Sequence, residues 1–125
     1  MLREEQIQEA YKTATSYPDL VFKLITIGVQ SYTVHVATGI ILYRFDGGAH
    51  ELHQQNSIDR KVADDFSREL TIMAVRDNQQ GKTDYPGFMN DIAKAGVQFY
   101  EATFTGNLRV TYIGAGGFYE EAIPV

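Results

Sequence analysis

The chain matches itself, and that constrains its fold more than any other feature. Tyr17-Pro18 recurs as Tyr85-Pro86, Gly28-Val29-Gln30 as Gly96-Val97-Gln98, and Tyr32 as Tyr100, all at one offset of 68 residues. Six of the 16 positions from Tyr17 to Tyr32 are identical to their counterparts. Chance, at about 5–7% per position, gives about one. Leu20/Phe88 and Leu24/Ile92 keep apolar character at the same offset. Two copies of one supersecondary unit are therefore expected, as pseudo-repeats 1–55 and 56–125 of a single domain.

Each copy opens with a helix. In the first it is expected over residues 3–15, with Ile7, Tyr11 and Ala14 on one face. In the second it is expected over residues 58–79, with Val62, Phe66, Leu70 and Met73 at helical spacing and Asn56 or Ser57 as N-cap. Arg60/Asp64, Lys61/Asp65 and Asp64/Arg68 would then be i,i+4 ion pairs on a solvated face. Tyr-Pro begins a second short helix, over 19–27 and 87–95, because proline suits the first helical turn. Gly28 and Gly96 stand where a left-handed residue ends a helix.

Strands follow. Tyr32, Val34 and Val36 alternate with Ser31, Thr33 and His35; Tyr100, Ala102 and Phe104 alternate with Glu101 and Thr103. Period two with one apolar face is a half-buried strand. Return strands are expected over 40–45 and 108–113, and third strands over 49–53 and 118–123. A tight Thr38-Gly39 turn would pair Val36 with Ile41, Val34 with Tyr43 and Tyr32 with Phe45. In the second copy a three-residue loop, Thr105-Gly106-Asn107, pairs Phe104 with Leu108, Ala102 with Val110 and Tyr100 with Tyr112, because a two-residue turn would set Arg109 against Phe104. The fold class is α+β: an internal duplication of a helix–helix–three-strand unit, with an antiparallel sheet packed on helices.

Composition narrows the function classes. A chain of 125 residues can bury a core unaided. It has no cysteine, which excludes disulfides, thiolate metal sites and cysteine nucleophiles. The net charge of −5 argues against nucleic acid. No apolar run has the roughly 20 residues of a membrane helix, and the first residues lack the apolar stretch of a secretory signal, so a cytoplasmic protein is expected.

The motifs that invite chemistry read as structure. Gly81-Lys82-Thr83 lacks the earlier glycine and preceding strand of a phosphate loop. Gly114-Ala115-Gly116-Gly117 reads as a hairpin turn and not as a dinucleotide fingerprint. His50 and His53 are three apart on an expected edge strand, hence on opposite faces, and do not form a metal pair. Glu120-Glu121 also falls on opposite faces. No catalytic residues, metal or cofactor are assigned, and the reading leans against an enzyme.

The second copy resembles a known family through Gln80-Gly81, Asp84-Tyr85-Pro86-Gly87-Phe88, Ala95-Gly96-Val97, Tyr100, Val110-Thr111-Tyr112 and Tyr119-Glu120-Glu121. These resemble the YbcV/YdfO-like small bacterial proteins, a domain of unknown function (DUF1398-type) often labelled phage envelope protein. The first copy fits through Tyr17-Pro18, Gly28-Val29 and Tyr32. The resemblance implies phage or prophage association and supplies no catalytic residues.

Function is sought on the second face of the hairpins. His35, Leu42, Arg44, Glu101, Thr103 and Arg109 are the candidate ligand or interface residues there, beside Thr33 and Thr111, and Ile40 and Leu42 are its apolar members. The leading expectation is a non-enzymatic protein-binding or adaptor domain, with a protein partner or a second copy of the chain as a homodimer, and no nucleic acid or membrane. An alternative is a small-ligand or enzymatic domain with a cleft between the repeats, lined by some of its eight tyrosines and seven phenylalanines. In that reading His35, Arg44, Glu101 and Arg109 are the candidate polar groups if they converge on the cleft. A phage structural component is the second alternative.

Overall fold

A computed structural model describes residues 2–54 and 58–123. Two helices, α1 (Arg3–Thr13) and α2 (Tyr17–Thr26), precede β1 (Val29–His35), β2 (Ile41–Phe45) and β3 (His50–His53). The order then repeats with α3 (Arg68–Gln79), α4 (Tyr85–Lys94), β4 (Val97–Thr103), β5 (Arg109–Gly114) and β6 (Gly117–Ala122). The strands form one six-stranded antiparallel sheet, ordered β3-β2-β1-β4-β5-β6. Among the described residues, no helix is long and apolar enough to cross a membrane.

The two halves meet at β1 and β4. Thr33 stands opposite Glu101, the position 68 residues on. The contacts around that pair are reciprocal: Val36 N–H donates to the Gln98 carbonyl at 3.0 Å and Phe104 N–H donates to the Gln30 carbonyl at 2.8 Å. The β1–β4 register is thus symmetric about the Thr33/Glu101 pair. Residues on the helix-facing side of the sheet, such as Tyr32, Val34, Tyr43, Tyr100, Ala102, Val110 and Tyr112, are buried. Those on the other side are half-buried or exposed.

The short helices form for the expected reasons. The Ser16 hydroxyl accepts from Asp19 N–H at 3.2 Å, and the Asp84 carboxylate accepts from Gly87 N–H at 2.9 Å. Each cap is followed by proline in the first turn. Gly28 (φ +99°) and Gly96 (φ +85°) end the two helices in the left-handed region.

Two expectations need correction. The helix expected over 58–79 spans only Arg68–Gln79, capped by Ser67, whose hydroxyl accepts from Leu70 N–H. The N-cap expected at Asn56 or Ser57 falls outside the described residues. Residues 58–67 run as a non-helical strap whose N–H groups bond other elements: Arg60 to the Ala37 carbonyl, Ala63 to Ala93, Phe66 to Ala115 and Ser67 to Ala95. Long-range backbone partners thus replace the i→i−4 bonds, and the expected ion pairs of Arg60, Lys61 and Asp64 do not form. The strap passes so close to Gly96 that a Cβ there would lie 2.1 Å from the Asp65 carbonyl oxygen. With the periodicity broken at the strap, α3 turns Thr71, Ala74 and Val75 inward and leaves Leu70 and Met73 exposed.

The second correction is the first hairpin. Val34 pairs with Ile41 and Tyr32 with Tyr43, two residues away from the expected register. The turn is longer because Val36 stays bonded to β4, fully buried, while β2 joins β1 only from the His35 N–H bond to the Ile40 carbonyl onward. A shift of two preserves the faces. The second hairpin has the expected register, Ala102 with Val110 and Tyr100 with Tyr112, and Gly106 takes φ +71°.

Candidate functional site

The six residues singled out on the sheet's second face do lie there. They mostly satisfy one another. Thr33 Oγ1 donates to Glu101 Oε2 at 3.0 Å, Arg44 Nη1 donates to Thr33 Oγ1 at 3.0 Å, and Arg44 and Glu101 form a 3.5 Å ion pair. Thr103 Oγ1 donates to the other Glu101 oxygen at 3.4 Å. Arg109 pairs with Glu120 at 3.7 Å and donates to the Thr105 and Asn107 carbonyls. His35 Nδ1 lies 2.8 Å from Thr38 Oγ1, in its own turn. Leu42 pairs across the strands with exposed Leu52 and, with Arg44, borders a shallow depression completed by Gln30, Gly48 and His50. His35, Arg44, Glu101 and Arg109 do not converge on a cleft between the repeats, because period two turns all four away from the helices.

A cavity nevertheless exists on the opposite, helix-covered face. It has a volume of about 650 Å³, within the ordinary range for small-molecule sites. Six tyrosines line it: Tyr11, Tyr17, Tyr32, Tyr85, Tyr100 and Tyr112. Val34, Val110, Phe88 and Ile123 supply apolar wall; Ser16, Asn78, Gln79 and Glu121 supply polar groups.

The fold places these tyrosines in matched sets. Tyr32 and Tyr100 project from the two central strands and meet edge to face, with ring centroids 6.4 Å apart. Tyr17 and Tyr85 sit at the starts of α2 and α4. The Tyr17 and Tyr32 hydroxyls are 2.7 Å apart. Tyr85 and Tyr100, the matching pair 68 residues on, line the same cavity. Tyr43 OH donates to Tyr11 OH at 2.9 Å. Tyr11, Tyr17 and Tyr85 are partly exposed and form the rim, with the Tyr17 and Tyr11 hydroxyls bonded to those of Tyr32 and Tyr43.

Burial raises the pKa of these phenols further above physiological pH. Desolvation pushes Tyr17 and Tyr43 up to about 12. It carries Tyr11, Tyr32, Tyr100 and Tyr112 well above the ordinary tyrosine value. All are neutral at physiological pH and act as hydrogen-bond donors and acceptors, not as nucleophiles or bases.

At one end of the cavity Glu121 is held from behind. Its Oε2 accepts from Arg76 Nη1 and from Tyr119 OH, each at 2.8 Å, and its Oε1 accepts from Gln79 Nε2 at 3.3 Å. The carboxylate hydrogen bond raises the Arg76 guanidinium further above its usual value. Glu120, next in sequence, faces the other way and accepts from Thr111 on the outer face. Among the described residues no group of three or more His, Asp or Glu side chains is placed to hold a metal ion.

Sequence reasoning reached an aromatic cleft but supplied the wrong polar groups, and it overlooked Tyr17 and Tyr85 as cavity residues. The signal was present: proline suits the first turn of a helix, but nothing in a helix start needs a tyrosine repeated before it.

These features define an α+β protein with one open sheet face and one tyrosine-lined cavity between sheet and helices. The chain belongs to the family described as "Protein of unknown function (DUF1398)", whose model matches residues 5–117. No curated protein matches it.

Proposed function

We propose that this protein binds a small organic molecule in the tyrosine-lined cavity. The observation that carries the reading is a cavity of about 650 Å³ with six tyrosines in its wall and a partly exposed aromatic rim. Apolar walls with a few convergent polar groups are the usual make-up of a small-molecule site. The neutral phenols support binding over tyrosine-based proton transfer. The reading rests on one domain, residues 1–125, built from repeats 1–55 and 56–125. The twice-run element order and the Thr33/Glu101 pairing support that division.

The test is fluorescence titration with N-phenyl-1-naphthylamine, an uncharged probe that brightens in apolar sites. Saturable binding at one site per chain is expected, with a rise in melting temperature because the ligand favours the folded state. Val34→Phe, which fills the cavity floor, should abolish the signal while Arg44→Ala on the outer face leaves it unchanged. Absence of saturable binding to the folded wild-type chain contradicts the proposal.

A second reading keeps the outer face as a protein-contact surface. It is favoured by a row of apolar side chains across that face, Phe99, Ile113 and Phe118, of which Phe118 is 64% exposed. Analytical ultracentrifugation separates the two: a dimer dissociated by Phe118→Ser supports the contact surface, and a monomer removes the homodimer.

A further inference from the structure

The inference concerns the charge of the ligand and rests on the cavity reading above. Six tyrosine rings line the cavity, and the electron-rich face of such a ring attracts cations and repels anions. Among the described lining residues there is no lysine, arginine or histidine, and Glu121 is the one acidic side chain. An anion in this space would lose its hydration with no cationic side chain in the wall, which is costly; Arg60, whose charge acts on Tyr85 at the rim, stands outside that lining and is bonded to Asn90.

The Glu121 arrangement adds direction. Arg76 and Tyr119 occupy Oε2, and among the described residues Oε1 has one 3.3 Å contact, from Gln79, itself a lining residue. Arg76 does not line the cavity. The ion pair is therefore a dipole whose negative end borders the cavity and whose positive end lies behind it. The helix starts near the cavity do not reverse this field. Asp19 lies in the first turn of α2, and Asp84 caps α4, each offsetting the positive end of its helix. The overall charge of −5 acts in the same sense at longer range.

We propose that the cavity selects hydrophobic organic cations: molecules with an aromatic or aliphatic body and one positive charge, carried beside the tyrosine faces and Glu121 Oε1. Glu121 sets the preference for charge, and the tyrosines hold the body.

Calorimetric titration of the full chain with two ions of nearly the same shape and opposite charge, tetraphenylphosphonium and tetraphenylborate, tests this. The cation should bind at least about tenfold tighter than the anion. Glu121→Gln should weaken the cation about tenfold and leave N-phenyl-1-naphthylamine within about twofold, which also reports that the variant is folded. Glu120→Gln, the same charge change on the outer face, should alter neither. If the variant at Glu121 does not fold, the ion pair of probes decides alone. Equal affinities, or a preference for the borate, overturn the cation inference while neutral-probe binding leaves the cavity reading standing. Failure of all three probes overturns both.

Discussion

The two faces of the central sheet solve opposite problems with the same strands. On the inner face, Tyr32, Tyr100 and Tyr112 pack ring against ring beneath the helices and are buried. On the outer face, Thr33, Arg44, Glu101 and Thr103 make a hydrogen-bonded patch in partial contact with water. Period two puts neighbours such as Thr33 and Tyr32 on opposite sides, so adjacent residues report on entirely different environments. The lesson is that conspicuous charge and available chemistry are not the same thing. The charged face is internally satisfied, whereas the nearly uncharged face leaves a space.

Mutations should separate the faces by size of effect. Tyr100→Ala, on the inner face, removes a buried ring that packs against Tyr32, Phe88 and Tyr112. It should cost about 3–5 kcal/mol in chemical denaturation and abolish probe binding, since large aromatic truncations in cores cost that much. A loss below about 1 kcal/mol would mean that the inner face is not the core.

Alkaline pH probes the same face collectively. Tyr17 and Tyr43 hold their protons up to about 12 when folded, against about 10 when unfolded. Above pH 10 the unfolded chain therefore binds fewer protons than the folded one, so stability falls as pH rises. The tyrosine contribution should be intact below pH 10 and lost progressively between about pH 10 and 12. Denaturation midpoints at stepped pH, read beside tyrosinate absorbance, check this; ordinary tyrosinate titration near pH 10 without unfolding would contradict it.

Smaller changes sharpen the contrast. Tyr17→Phe deletes one partner of the 2.7 Å hydroxyl pair and should cost about 1 kcal/mol, in the usual range for one hydrogen bond. Glu101→Gln, on the outer face, weakens a pair whose side chains are 47% and 40% exposed. Its effect should stay below about 1 kcal/mol, with probe binding unaltered. An outer-face change larger than that of Tyr17→Phe would reverse the ranking of the two faces.

Much of the architecture was legible because local rules and the repeat agreed. The Tyr-Pro starts, the Gly28 and Gly96 stops, and the second hairpin's register follow from residue chemistry within a few positions. The strap at 58–67 was not legible. Val62, Phe66, Leu70 and Met73 have helical spacing, yet the strap's N–H groups bond carbonyls of Ala37, Ala93, Ala95 and Ala115, far away in sequence. Gly96 held a trace of this, since it must admit the Asp65 carbonyl as well as end a helix. The site was half legible. Aromatic abundance pointed to a cleft, but charge drew attention to the outer face, and only the fold could show that Glu121 faces the helices while Glu101 does not.

The most direct measurement of the central claim compares both faces in one experiment. Tyrosine-labelled and backbone-amide NMR spectra are recorded while N-phenyl-1-naphthylamine is added to the full chain. The account predicts saturable shifts at Tyr17, Tyr32, Tyr85 and Tyr100, with the amides of Arg44, Thr103 and Arg109 unmoved. Shifts confined to the outer-face residues, with the cavity tyrosines still, would contradict it.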